Sequence, residues 1–273
     1  MQRLIDGHPV ELDIIGEGLP VLMLHGFPLD RRALRRSVDP VFERRTGYRR
    51  IHADLPGFGA TPRVPGIASS GEMADFVLRL IDEVAGDGPL LLVGESWGAY
   101  LARAVIARRP LQVAGAALLV PMVVAPFADR DLPPHRLLYE EPGVLAGAPD
   151  AHAAAIREIG TVIDGPAWSY FSAVIAPTFG AGDAEAIAAI ARGYAFPTDV
   201  DAAAEPFGGP TLIVTGRQDS MVGYRDALTI LERFPRATYA VLDAASHNVS
   251  GERPALLAAL VDDWLDRVEQ SRA

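Results

Sequence analysis

Cysteine does not occur among the 273 residues of this chain. Its absence excludes a disulfide framework, a thiolate nucleophile and any metal site that uses cysteine sulfur. Lysine is absent as well, so arginine supplies all 25 of the basic side chains other than histidine. Any chemistry that the chain performs must use other groups, such as serine hydroxyls, imidazoles and carboxylates.

Long apolar runs are also missing. No stretch reaches the length of about 18 residues that a membrane helix requires, and residues 1–16 do not resemble a secretory signal. The formal net charge of -10 would repel a polyanion such as DNA. We therefore expect a cytoplasmic monomer or homodimer that acts on a small-molecule substrate and binds neither nucleic acid nor membrane.

Short apolar runs, by contrast, recur along the chain. Runs of this length are typical of strands that are buried on both faces of a parallel sheet. With two less apolar segments, at 49–53 and 238–242, they predict strands at residues 21–24, 49–53, 89–93, 113–120, 211–215 and 238–242. Before them, an alternating pattern around Asp6 and Gly7 predicts an N-terminal hairpin.

Helical patterns separate these strands. Ser69 followed by Glu72 is a capping box, and it precedes a 3.6-residue apolar period up to residue 84. Further helices are predicted at residues 97–109, 224–234 and 254–268. The alternation predicts an α/β fold with a doubly wound, mostly parallel eight-stranded sheet, whose ligand site lies at the carboxyl ends of the strands.

The segment from 121 to 206 has a different character. It is rich in alanine, proline and glycine, and its helical patterns cover residues 151–159 and 184–191. We interpret residues 1–120 and 207–273 as the core, and residues 121–206 as a helical insertion after strand 6.

A G-x-S-x-G motif occupies residues 94–98, between a predicted strand and a predicted helix. A sharp strand-to-helix turn would lift the hydroxyl of Ser96 clear of the backbone, and the glycines would leave room for that turn. The amide of Trp97 would then point to the place where an oxyanion forms. Ser96 is therefore the candidate nucleophile.

A serine nucleophile needs a base, and the base needs an acid that holds its tautomer. Of the six histidines, His247 lies just after the last strand, where a site is expected. Two carboxylates compete for the acid role. Asp219 follows the strand at 211–215 and is favoured, whereas Asp243 ends the strand before His247 and is interpreted as a structural carboxylate.

The loop after the third strand contributes a second donor. His25 and Gly26 precede Phe27, whose amide is the candidate partner of Trp97 in an oxyanion hole. Gly26 permits close backbone approach. His25 is expected to shape the loop by hydrogen bonding and not to act as the base.

Together these motifs resemble the α/β-hydrolase superfamily. The similar blocks are residues 21–26, the D-x-x-G-x-G loop at 54–59, the elbow at 94–98, the acid loop at 216–219 and the histidine loop at 246–254. The resemblance implies the α/β-hydrolase fold, with residues 121–206 as a lid. In that family the triad follows the chain order that Ser96, Asp219 and His247 show here.

The resemblance implies acyl transfer to Ser96 without a metal or organic cofactor. A carboxylic ester of small or medium size is the favoured substrate. An amidase or aminopeptidase, a hydrolase of carbon–carbon bonds and a cofactor-free perhydrolase share the same triad and stay open. Haloalkane dehalogenases and epoxide hydrolases use an aspartate nucleophile. Because Ser96 lies at that position here, neither activity is expected. A non-catalytic ligand-binding member is a further alternative.

Substrate choice would depend on the insertion. Its aromatic residues line an apolar pocket in one interpretation and form the insertion's own small core in the other; they are Trp168, Tyr170, Phe171, Phe179, Tyr194 and Phe196. Glu140 and Glu141 either bind a substrate amine or, as we favour, form a solvated charge pair.

Overall fold

The described residues of the structure, a computed structural model, are 1–201 and 205–272. Residues 202–204 of the predicted insertion and residue 273 of the predicted core lie outside them. The strands are β1 (Gln2–Ile5), β2 (His8–Ile15), β3 (Leu19–Leu24), β4 (Tyr48–Ala53), β5 (Leu90–Glu95), β6 (Val113–Leu119), β7 (Tyr139–Glu140), β8 (Val162–Ile163), β9 (Thr211–Gly216) and β10 (Ala237–Leu242).

Eight of these strands form one sheet, in the order β1-β2-β4-β3-β5-β6-β9-β10. Strand β2 runs antiparallel to β1 and β4, and the other pairs are parallel. The hairpin turn has positive φ angles at Asp6 and Gly7, as a two-residue turn of the primed type requires. The predicted mostly parallel eight-stranded sheet is confirmed.

The sheet is buried on both faces, which explains the continuous apolar runs. Along β3, Leu22 and Leu24 pack into one cluster while Val21 and Met23 pack into another. Successive side chains of a strand point to opposite faces, so a strand covered on both sides needs apolar residues at every position. Helices therefore cover the sheet on both sides.

The helices are α1 (Arg32–Ser37), α2 (Asp39–Phe42), α3 (Ser70–Ala85), α4 (Trp97–Arg108), α5 (Asp150–Ile159), α6 (Gly165–Tyr170), α7 (Ala184–Arg192), α8 (Arg225–Thr229), α9 (Val249–Glu252) and α10 (Pro254–Arg272). Helices α3 and α4 supply residues to one sheet face, and α1, α2 and α10 to the other. The side chain of Ser69 caps α3 by accepting from the amide of Glu72.

One predicted helix is wrong in its extent. Residues 224–234 do not form a single helix, because α8 ends at Thr229 and a separate 3-10 turn covers Leu231–Arg233. Between them Ile230 has a ψ of 0°, outside the helical region. Thr229 and Ile230 are both β-branched, and such side chains are stiff against the preceding turn of a helix.

The segment between β6 and β9 is not helical throughout. Strands β7 and β8 form a short parallel pair, and the π-helical turn Phe171–Ile175 continues α6. The segment rests on the rest of the molecule where α6 packs on α9 and where Tyr170 and Val174 pack on Ala33 of α1. Its description as a separate domain stays a prediction.

Within residues 1–201 and 205–272, none of the helices combines the length and the apolar character that a membrane crossing requires.

Candidate active site

Ser96 occupies a sharp turn between β5 and α4. Its φ of 54° and ψ of -114° lie in a region that residues with a side chain seldom adopt. The two glycines of the motif make the turn possible. A Cβ at Gly98 would lie 2.0 Å from the carbonyl oxygen of Leu24, and one at Gly94 would lie 2.6 Å from the amide nitrogen of Ala99.

Three side chains meet through hydrogen bonds at this turn. His247 Nε2 lies 3.0 Å from Ser96 Oγ, and His247 Nδ1 lies 2.9 Å from Asp219 Oδ2. With the proton on Nδ1, the imidazole donates to the carboxylate and accepts from the serine hydroxyl. This is the arrangement that a nucleophile, its base and an orienting acid require.

The carboxylate of Asp219 is fully buried and well supplied with donors. Its Oδ1 accepts hydrogen bonds from the amides of Met221 at 2.8 Å and Val222 at 3.0 Å. Burial alone would raise the pKa of Asp219, but His247 and these amides outweigh it and lower that pKa. Burial likewise opposes the charge on His247, yet Asp219 raises the pKa of the imidazole.

The competing carboxylate lies elsewhere. Asp243 is exposed, and its side chain accepts a hydrogen bond of 2.9 Å from Gln218 Nε2. The structure therefore brings Asp219, and not Asp243, to His247.

The loop after β3 passes close to Ser96. A Cβ at Gly26 would lie 3.4 Å from Ser96 Cβ, so that only a small residue leaves space between loop and turn. In the described part of the chain, the amides of Phe27 and Trp97 donate to no protein acceptor. Both candidate oxyanion donors are therefore unengaged beside the nucleophile.

His25 is buried beneath this loop. Its Nε2 accepts from the amide of Leu55 at 3.1 Å, and its Nδ1 donates to the carbonyl of Gly26 at 2.9 Å. Burial lowers the pKa of His25, which favours the neutral ring that these two bonds need. The side chain thus holds the loop in place, as expected.

A cavity of about 290 Å³ opens beside Ser96 and His247. Its walls are mostly apolar and come from the loop after β3, the insertion and the loop after Asp219. The apolar wall residues include Phe27, Leu29, Tyr170, Ile175, Phe179 and Met221. A site with these walls and a few convergent polar groups is typical of small-molecule pockets.

Most of the predicted pocket aromatics lie outside this cavity. Tyr170 lines it, but Trp168 and Phe171 stack on each other at 5.7 Å between ring centroids within the insertion's own core. They turn inward because residues three apart share one face of the helical segment. The prediction that these two line the pocket is corrected.

Two of the remaining three aromatics pack behind the site. Tyr194 contacts the ring of Phe27 at a centroid distance of 5.3 Å, and Phe196 contacts Tyr100 at 4.5 Å. Both therefore support the residues around the site without lining the cavity, which corrects the prediction for them as well. Phe179, by contrast, does line it.

Glu95 is a residue of the site that was not predicted from the sequence, although the G-x-S-x-G motif contains it. It is 5% exposed and lines the cavity, and its Oε2 is buried without a hydrogen-bond partner. Burial raises its pKa to about 7, against a lowering influence of His247. A charged residue at the end of a strand buried on both faces is the signal that identifies such a group.

The two glutamates that were considered for amine binding are engaged within the insertion. Glu140 Oε2 accepts from Arg157 Nε at 2.8 Å, and Glu141 Oε2 accepts from the amide of Gly165 at 3.1 Å. Neither lines the cavity.

Glu252 links the insertion to the histidine loop. Its Oε1 accepts from the amides of Thr161 at 2.6 Å and Val162 at 3.1 Å, and its Oε2 accepts from the amide of Ser246 at 2.5 Å. Since Ser246 precedes His247, one buried carboxyl supports both the insertion and the loop that carries the imidazole.

A metal centre is not evident in the parts of the chain that the structure describes, where no three His, Asp or Glu residues are grouped as ligands.

Solved structures resemble this fold over nearly the whole chain. An alpha/beta superfamily hydrolase from Oenococcus oeni is 24% identical, with a TM-score of 0.90 over 98% of this chain and 99% of that one. A thermophilic esterase from Thermogutta terrifontis is 24% identical, with a TM-score of 0.70 over 96% and 94% of the two chains. At these identities the likeness concerns the fold.

Sequence comparison identifies the family of this chain. Epoxide hydrolase 2 of Siraitia grosvenorii is 38% identical over 90 residues, which are 32% of this chain and 28% of that protein. The chain thus spans well under half of this curated relative. The model of the alpha/beta hydrolase family matches residues 21–260. With that match and the fold described above, the chain belongs to the alpha/beta hydrolase family.

Proposed function

We propose that this protein is a serine hydrolase that cleaves a small or medium carboxylic ester through an acyl-enzyme on Ser96. The observation that carries the proposal is that Ser96, His247 and Asp219 are joined by hydrogen bonds and that Ser96 and His247 line an apolar cavity. The substrate is a small molecule, and the mechanism requires no cofactor.

In the acylation step, His247 Nε2 accepts the hydroxyl proton of Ser96 while Oγ attacks the ester carbonyl. The amides of Phe27 and Trp97 donate to the oxyanion of the tetrahedral intermediate. As the intermediate collapses, the carbon–oxygen bond to the alcohol breaks and the imidazolium gives its proton to the leaving oxygen. Asp219 holds the tautomer and stabilises the imidazolium.

In the deacylation step, water attacks the acyl-enzyme. His247 accepts a proton from that water and then returns it to Ser96 Oγ when the carboxylic acid leaves. The same two amides stabilise the second oxyanion. The active site is thereby restored without any change of oxidation state.

Labelling with a fluorophosphonate probe tests the nucleophile. We expect the wild-type protein to react, Ser96→Ala to lose the label, and Ser271→Ala, at the exposed end of α10, to keep it. Equal labelling of wild type and Ser96→Ala would contradict the proposal. No labelling and no ester cleavage by the folded protein would favour a ligand-binding member instead.

A series of p-nitrophenyl esters then measures the pocket. A cavity of about 290 Å³ with mostly apolar walls predicts faster turnover of the butanoate than of the dodecanoate. A preference for the longest chains would contradict the expected substrate size.

A further inference from the structure

The cavity beside Ser96 contains a carboxyl group that the protein leaves without donors. Across the described residues, no hydrogen bond reaches the side chain of Glu95; its Oε2 is fully buried, whereas its Oε1, which also lacks a partner, is not one of the fully buried atoms and is the oxygen that a ligand can reach. A buried polar group normally has a hydrogen-bond partner, and leaving one unmade is costly. This favours a partner that arrives with the ligand.

The charges around the cavity indicate what that partner is. Among the described residues that line it, Glu95 and the exposed Glu158 carry carboxyls, while His247 is the one basic side chain. His247 is already engaged by Asp219 and Ser96. The charged residues that line the cavity therefore favour a cationic group on the substrate and disfavour an anionic one.

The position of Glu95 limits where that cation sits. Glu95 directly precedes Ser96, and consecutive Cα atoms are about 3.8 Å apart. Both residues line the same cavity. A group bound by Glu95 is therefore only a few bonds from the carbonyl that Ser96 attacks.

We propose that the substrate carries a protonated amine on its acyl chain and that Glu95 binds this ammonium group. The inference rests on the proposed function and narrows its substrate to esters of short amino acids. Apolar residues that line the same cavity, such as Tyr170 and Ile175, hold the methylene groups, and the ammonium supplies the donors that the carboxyl is missing.

The ionisation of Glu95 is compatible with this role. Burial raises its pKa to about 7, so the free carboxyl is ionised above neutral pH, where an alkyl ammonium is still charged. The ammonium in turn favours the carboxylate form. An ion pair of this kind is worth forming only where hydrogen bonds accompany it, as a three-donor ammonium allows.

A matched pair of substrates tests the proposal above neutral pH. p-Nitrophenyl β-alaninate and p-nitrophenyl butanoate have the same shape, and only the first ends in an ammonium group. Glu95→Gln keeps the side-chain size and removes the charge. We expect it to lower the ratio of kcat/KM for the β-alaninate to kcat/KM for the butanoate by about 10- to 100-fold.

Glu140→Gln is the matched control, because it removes the same charge from the pair with Arg157, away from the cavity. We expect it to leave the ratio of the two kcat/KM values unchanged. An equal loss on both substrates in Glu95→Gln, or no loss on either, would overturn the proposal. So would wild-type protein that cleaves the butanoate and not the β-alaninate.

A binding measurement separates this inference from the proposed function. Ser96→Ala is titrated calorimetrically with butylammonium and with n-butanol, so no turnover is needed. We expect butylammonium to bind at least about tenfold more tightly, and the difference to vanish in Ser96→Ala/Glu95→Gln. Equal affinities would overturn ammonium binding, even where fluorophosphonate labelling shows that Ser96 is an active nucleophile.

Discussion

Asp219→Asn is the substitution that tests the proposed mechanism most directly. Asparagine fits the same space, and its carbonyl oxygen can still accept from the amides of Met221 and Val222. The loop should therefore keep its conformation. The remaining amide nitrogen would then face His247 Nδ1, where the carboxylate oxygen lies 2.9 Å away in the native protein.

That exchange of donor and acceptor changes the tautomer of the imidazole of His247. An amide N–H facing Nδ1 makes this nitrogen an acceptor, so the proton moves to Nε2, which can no longer take the proton of Ser96. In a triad of this type the same exchange costs about 10⁴-fold in kcat, or about 5 kcal/mol of transition-state stabilisation. The free energy of unfolding should fall by far less than this, because the hydrogen bonds from the amides of Met221 and Val222 survive.

Steady-state hydrolysis of p-nitrophenyl butanoate measures the effect, and urea unfolding checks the fold. Asp243→Asn is the matched control, since Asp243 is exposed and contacts Gln218 and not His247. We expect Asp243→Asn to stay within about twofold of wild type, as surface substitutions usually do. If Asp243→Asn abolished turnover while Asp219→Asn kept it, the assignment of the acid would be wrong.

Three further predictions concern ionisation and packing. Because Asp219 raises the pKa of His247 above 6.5, kcat/KM for the butanoate should fall with decreasing pH at a midpoint above that value, and a midpoint below it would contradict the pairing. Gly98→Ala would place a methyl 2.0 Å from a backbone oxygen, so urea unfolding should show a loss of about 2 kcal/mol or more. Glu252→Ala strips three buried amides of their acceptor, and we expect it to lose about 3 kcal/mol of stability together with esterase activity; an unchanged unfolding midpoint would refute this role.

Features set by neighbouring residues in the sequence could be predicted well. The apolar runs that became β3 and β5 identify strands covered on both faces, since every position of such a strand must be apolar. The turn at Ser96 was predictable because strand, glycines and helix follow one another directly. The meeting of Ser96, Asp219 and His247 could be expected because the carboxyl ends of parallel strands lie at the same edge of the sheet.

The pocket walls could not be predicted in this way. Trp168, Tyr170 and Phe171 are almost adjacent in sequence, yet only Tyr170 faces the cavity. Which face of a short helical segment points to the site depends on how the insertion packs on α1 and α9, and these are contacts between residues far apart in the chain. Composition shows that aromatic residues are present and does not give their direction.

Two carboxyl groups flank His247, and their surroundings give them opposite properties. Asp219 and Glu95 are both buried, so desolvation raises the pKa of each. Asp219 also receives two amide hydrogen bonds and the imidazole N–H, and its pKa ends below the ordinary value. Glu95 receives no donor from the described residues, and its pKa rises to about 7. Hydrogen-bond donors, and not depth, therefore separate the two groups: Asp219 is held as the anion that an imidazolium needs, while Glu95 keeps its lone pairs for a donor on the substrate.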